Sequence, residues 1–297
     1  MHVIILGAAA GGGFPQWNCG CPNCVLVREG SSDVTPATQD SVAVSADGLR
    51  YYVLNASPDV HRQIQATPEL APKAPRHTPI AGLALSNGDM DHILGLFSLR
   101  ERQPLEFFAT PRVIEGLFER NAMTKTVQRF PGQLTMRPFV LGEPQDLGSG
   151  MTIRAMPLSG KLPVHLEGTM PASPEDNVAL VVEQAGERLV YATACPDVDE
   201  LASLVDRNTT VLVDGTFFTE DELVDLGLSN ARAKSMAHQP ISGTAGSLPA
   251  LQRMGAKRVI YTHLNNTNPV LRRSSPQRAE VEGCGIHIAY DGMRMTL

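Results

Sequence analysis

Leu83-Ala84-Leu85-Ser86-Asn87-Gly88-Asp89-Met90-Asp91-His92 reads as a buried strand that stops in a turn crowded with metal-capable groups, and Ile93-Leu94-Gly95-Leu96 then continues as a helix. Asp89, Asp91 and His92 thus fall at a strand-to-helix corner, where side chains converge on one ion without disturbing a core. One such corner is equally a helix cap, because Asp is a favoured N-cap residue. Two later segments decide the matter: Val211-Leu212-Val213-Asp214-Gly215-Thr216 and Val259-Ile260-Tyr261-Thr262-His263 each repeat an apolar strand ending in a ligand type. Three strand ends bearing Asp or His are expected to meet at one sheet edge, with a metal as the natural occupant. His238, in Ser235-Met236-Ala237-His238, reads as a proton donor beside that metal or as a satisfied core histidine.

Around this corner the pattern predicts strands over 3–6, 42–44, 51–54, 83–85, 107–109, 151–156, 178–183, 188–191, 211–213, 258–261 and 286–289. Helices are predicted over 58–66, 91–99, 112–120, 198–205, 220–226, 246–254 and 276–282. Strands with interspersed helices predict a layered α/β architecture, read as one domain over 1–297 with no repeat or low-complexity tract. The chain of 297 residues is 42% hydrophobic and 19% charged, which excludes disorder, and its net charge of −6 argues against nucleic acid as a partner. No apolar run reaches the roughly 18 residues of a membrane span. Residues 1–10 lack a basic residue ahead of their apolar stretch, so they read as a strand rather than a signal peptide. The expected location is the cytoplasm, and a homodimer is left open.

Cys19-Gly20-Cys21-Pro22-Asn23-Cys24 places three thiols on one short loop whose Gly and Pro let the sulfurs converge. Three soft ligands favour a structural zinc with a fourth ligand from elsewhere, for which Asn266, Cys284, His287 and several carboxylates qualify. Cys195 and Cys284 read as inert core thiols. Gly7, Gly11, Gly12 and Gly13 follow a strand but match neither phosphate-loop nor dinucleotide spacing, so they read as a tight turn.

The order of these motifs resembles the metallo-β-lactamase superfamily, especially its phosphodiesterase and tRNA-processing branch. The His-x-His-x-Asp-His motif of that branch resembles Asn87-Gly88-Asp89-Met90-Asp91-His92, its bridging aspartate Asp214, its late histidine His263 and its intervening histidine His238. The resemblance implies a metallo-β-lactamase-like αββα four-layer sandwich. More narrowly, the stretches 11–19, 55–59, 91–92, 99–101, 213–216 and 263–269 are similar to a family of coenzyme PQQ synthesis proteins. Asn87 and Asp89 replace histidines of the hydrolases, and Pro157-Leu158-Ser159-Gly160 lacks the histidine that closes their Pro-Leu-x-His motif. His165, a few residues further on, is a substitute for it or a solvent-facing residue.

What remains is Asp89, Asp91, His92, Asp214 and His263, a carboxylate-rich set suited to Fe(II), or to manganese or zinc, in the manner of non-haem oxygenases. The narrower resemblance implies an iron-dependent hydroxylase that uses molecular oxygen on the tyrosine ring of a Glu-Tyr-derived precursor of the quinone coenzyme. In that reading Asp91 and His238 are catalytic, and Asn265, Asn266, Asn268 and Arg100, with Lys161, bind the small amino-acid-derived substrate. The alternatives are a metal-dependent hydrolase or phosphodiesterase, and a non-catalytic carrier that transports the coenzyme or its precursor.

Overall fold

Parallel strands need crossover connections, and that requirement organises the first half of the chain. The structure is a computed structural model describing residues 1–297. Its strands are β1 (His2–Gly7), β2 (Ser41–Ser45), β3 (Tyr51–Leu54), β4 (Ile80–Ala84), β5 (Leu105–Ala109), β6 (Leu134–Pro138) and β7 (Gln145–Gly148). They continue as β8 (Met151–Pro157), β9 (Val178–Gln184), β10 (Glu187–Ala192), β11 (Thr209–Asp214), β12 (Arg258–Thr262), β13 (His287–Ile288) and β14 (Arg294–Thr296). Helices accompany two sheets, so the fold is α/β. The chain divides into two compact units, Met1–Gly7 with Asp40–Arg188 and Gly292–Leu297, and Ala8–Gln39 with Leu189–Asp291.

In the first unit one sheet runs β14-β1-β2-β3-β4-β5-β6. The pairs from β3 to β6 are parallel, and each crossover between them is helical: Val60–Ala66, then Met90–Ile93 with the 3-10 turn Leu94–Ser98, then Pro111–Ile114 with the π turn Glu115–Glu119. The core on this sheet gathers Val53, Leu83, Leu85, Phe107, Ile93, Leu96 and Leu117. Parallel strands buried on both faces read as continuous apolar runs, which is why β4 is legible in sequence. The helix predicted over 91–99 tightens into a 3-10 turn at Gly95, whose backbone passes so close to the segment after β3 that an added Cβ would lie 2.2 Å from the Ser57 carbonyl oxygen. Antiparallel β7 to β9 complete this unit.

In the second unit β11, β12 and β13 are parallel, and Asp214 is in register with Thr262. His263 therefore leaves the sheet at the level where β11 ends. The crossover helices Ser247–Arg253 and Pro276–Gly283 match the expected ones. The stretch predicted as a helix over 198–205 is a 3-10 stretch, Val198–Leu204, and the one over 220–226 shrinks to Glu222–Asp225. A helix not anticipated, Pro22–Arg28, starts within the cysteine motif, with Pro in the first turn where its missing N–H is harmless. Among the helices none is long and apolar enough to cross a membrane.

Candidate metal centres

The corner after β4 is built from Asn87. Asn55, at a left-handed φ of 56° beyond β3, accepts both the Ser86 backbone N–H (3.0 Å) and its hydroxyl (3.1 Å), which pins the two strand ends together. Asn87 Oδ1 accepts the Asp89 N–H at 3.0 Å and lies 2.7 Å from His92 Nδ1. An atom that accepts a backbone amide is the carboxamide oxygen, so His92 Nδ1 is a donor and the ring lone pair sits on Nε2. His92 is buried, and its Nε2 is 3.8 Å from Oδ2 of half-buried Asp91. Two metal bonds of about 2 Å can span such a gap. Asp89 occupies the N-cap position of the helix Met90–Ile93 without capping it through its side chain. Asn87 thus orients the His92 ring from a position where the hydrolase motif has a histidine.

Gly160, at the position of the missing histidine, passes against Asn177, and an added Cβ would meet the Asn177 Cβ at 2.8 Å. No larger side chain fits there. His165 is exposed on the 3-10 turn Val164–Leu166, and Lys161 and Arg100 are also exposed.

The corner after β11 is denser. Asp214 is buried, and Oδ1 accepts the Thr216 N–H (3.0 Å) and hydroxyl (2.6 Å), while Oδ2 accepts the Cys195 N–H (3.2 Å) and pairs with His238 Nδ1 (2.6 Å). Burial pushes this carboxyl up, but the imidazoles of His238 and His263 and the Thr216 hydrogen bond hold it below the usual carboxylate range. A carboxylate has about four lone-pair sites, and four protein donors address this one. Asp214, expected as a metal ligand, makes these contacts and also belongs, with His238 and His263, to a group of side chains able to hold a metal ion. His238 and His263 stack with centroids 5.6 Å apart, and donor atoms of Asp214, His238 and His263 all lie within 4.8 Å of one another. Gly215 between Asp214 and Thr216 has no room for a Cβ, which would lie 2.9 Å from Tyr261 Cβ.

The three thiols converge as expected. The sulfurs of Cys19, Cys21 and Cys24 lie within 4.8 Å of one another, Cys21 just ahead of the helix Pro22–Arg28 and Cys24 in its first turn. The Asn266 carboxamide nitrogen stands 3.1 Å from Cys19 Sγ and 3.4 Å from those of Cys21 and Cys24. Burial pushes Cys24 up to about 11. Burial also opposes ionisation of Cys19, but hydrogen bonds from Cys21 and Asn266 bring it below the ordinary thiol value. Arg28 ties the loop down through the carbonyls of Cys19 (2.5 Å) and Gln16 (2.6 Å).

Of the asparagines expected to hold substrate, two have other work. Asn266 faces the thiols, and Asn268 is fully buried, donating to the Gly215 carbonyl (2.8 Å) and accepting the Val270 N–H (3.0 Å). A run of Asn reads as an exposed polar loop, but here both side chains are buried, against the cysteine motif and the end of β11. Asn265 is half-buried and its amide donates to the Thr267 hydroxyl. Cys195 is buried, and Cys284 caps the helix Pro276–Gly283. Asn87 and Thr216, which contact His92 and His263, are not among the candidates read from the sequence. The only sequence signal for Asn87 was its departure from the histidine pattern.

The family profile described as "Beta-lactamase superfamily domain" matches residues 50–264. "Coenzyme PQQ synthesis protein B" of Rhizobium meliloti (strain 1021) is 40% identical, over 100% of this chain and 98% of its own length. The crystal structure of zinc-bound PqqB from Methylobacterium extorquens superposes with a TM-score of 0.95 at 38% identity, covering 100% of both chains. A diphosphatase of the PhnP family, at a TM-score of 0.65 and 18% identity over 100% of this chain and 97% of its own, shares the fold alone. The fold class is the metallo-β-lactamase one that the motif order implied. By full-length identity and by structure, the chain belongs to the coenzyme PQQ synthesis protein B family of the β-lactamase superfamily.

Proposed function

We propose that this protein acts in the synthesis of pyrroloquinoline quinone, the coenzyme its relatives are named for, as an iron-dependent hydroxylase of the tyrosine ring in a Glu-Tyr-derived intermediate. The observation that carries the reading is the conversion of the hydrolase ligand pattern: Asn87 orients His92 rather than binding metal, and Gly160 leaves no room for a further histidine. Two histidines and a carboxylate, His92, His263 and Asp91, with Asp89 adjacent in the chain, are the ligands proposed for Fe(II), a set that manganese or zinc also accepts. When bound, the iron supplies the one-electron chemistry with molecular oxygen that no side chain here provides.

The chain's own groups do the rest. His238 holds its Nδ1 proton toward Asp214, which leaves Nε2 as the nitrogen able to take the phenolic proton. Arg100 and Asn265 are the contacts proposed for the precursor's carboxylates and amide. Cys19, Cys21 and Cys24 are proposed to hold a structural zinc, closed by Asn266 once its carboxamide turns its oxygen inward. A reducing compartment, the cytoplasm, suits five free cysteines.

The test is aerobic incubation of the iron-loaded protein with a Glu-Tyr dipeptide derivative, read by mass spectrometry. Ring oxygenation, with zinc and iron each present once per chain by elemental analysis, is the expected result. No oxygenation at full iron occupancy, together with phosphodiester turnover, overturns the hydroxylase in favour of a hydrolase. Tight product binding without any turnover overturns it in favour of a carrier.

A further inference from the structure

We propose that Thr216 is a positioning residue whose hydroxyl locks His263 in the tautomer with its proton on Nδ1, so that the ring offers Nε2; the proposal rests on the reading of His263 as a metal ligand. Thr216 Oγ1 sits at the centre of four polar contacts: Asp214 Oδ1 at 2.6 Å, His263 Nδ1 at 2.9 Å, the His263 carbonyl at 3.0 Å and His238 Nδ1 at 3.2 Å. A hydroxyl has one proton to give. The carboxylate and the carbonyl accept only, so whichever takes that proton, none is left for His263 Nδ1, which must itself donate. His238 cannot compete, because its own Nδ1 proton is directed at Asp214 Oδ2, 2.6 Å away.

The backbone supports the same assignment. His263 adopts a left-handed φ of 55°, uncommon for a residue other than Gly, though His with Asn and Asp is among the side chains that enter it most readily. That curl at the end of β12 brings the carbonyl and the ring of a single residue to one hydroxyl. Because Thr216 follows Gly215, where no Cβ fits, the hydroxyl is delivered by a turn with little freedom to drift.

Long-range proton–nitrogen NMR on full-length protein labelled at histidine, with His263→Gln to assign the signal, reads the tautomer directly. A protonated Nδ1 on His263 before metal addition is expected, and a protonated Nε2 overturns the proposal. Titration with Co(II), followed by its visible spectrum, is expected to show affinity about 10–100-fold weaker in Thr216→Val and kept within about threefold in Thr216→Ser. Unchanged affinity in Thr216→Val, or a Thr216→Ser variant as weak as it, overturns the proposal. If Thr216→Val fails to fold, the wild-type tautomer and Thr216→Ser still decide. None of these readouts involves turnover, so failure of the hydroxylase reading leaves them standing, and their failure leaves that reading standing.

Discussion

At the end of β4 a neutral carboxamide, Asn87, orients His92; at the end of β11 a buried anion, Asp214, orients His238 and engages Thr216 beside His263. Both corners point Nδ1 of a histidine inward, yet their energetics differ in kind. A neutral orienter contributes roughly the 0.5–1.5 kcal/mol of an ordinary hydrogen bond. A buried carboxylate with four donors is a network in which removing the centre strands several buried polar groups at once. Orientation of the first histidine is thus a local property, whereas orientation of the second is tied to the stability of its unit.

That contrast can be broken most directly at its charged end. Asp214→Ala is expected to lower unfolding free energy by about 3–5 kcal/mol in chemical denaturation, since the Cys195 and Thr216 amides and the His238 ring lose their acceptor together. A loss no greater than that of Asn87→Ala would erase the distinction.

A second probe uses pH. Burial pushes the carboxyl of Glu222 up to about 7 against the pull of the Thr267 hydroxyl and the Phe218 and Thr219 amides. Its folded-state pKa lies above the unfolded one, so its contribution is fully present below the unfolded-state value and is lost as pH rises toward neutrality, by at most about 3 kcal/mol. Through Thr267 this titration touches the loop after His263. Stability of the wild type measured from acid to neutral pH should therefore fall more steeply than that of Glu222→Gln, and identical slopes would refute it.

The comparison sharpens further at Gly160, where Gly160→Ala should meet Asn177 and lower the melting temperature by the equivalent of about 1–3 kcal/mol. Smallest in stability is Asn87→Ala, expected to cost about 1 kcal/mol while weakening Co(II) binding about 10–100-fold. A larger stability loss with unchanged metal affinity would make Asn87 structural instead.

These corners were legible to different depths in the sequence. Apolar strands ending in Asp or His announced themselves, because buried parallel strands are continuous apolar runs and ligand types are rare at their ends. The polar strands β6, β7 and β14 carry no such run and went unread. The contacts of Asn87 with His92 and of Thr216 with His263 leave no trace in the sequence for another reason: short polar side chains have no periodicity, and which partner they choose is decided only when distant segments fold together. Asn266 and Asn268 misled for that same reason, since burial beneath a neighbouring loop leaves no mark on a polar tetrapeptide.

The stretch from His263 to Asn268 has a histidine held by Thr216 at one end and, three residues along, a carboxamide against three thiols. Three residues span at most about 11 Å, so slack between the two ends is small. Stripping the thiols with a chelator, or oxidising them, therefore amounts to remote control over a histidine that neither reagent touches. A change made at the thiols is therefore expected to register at His263 while that ring itself is chemically intact.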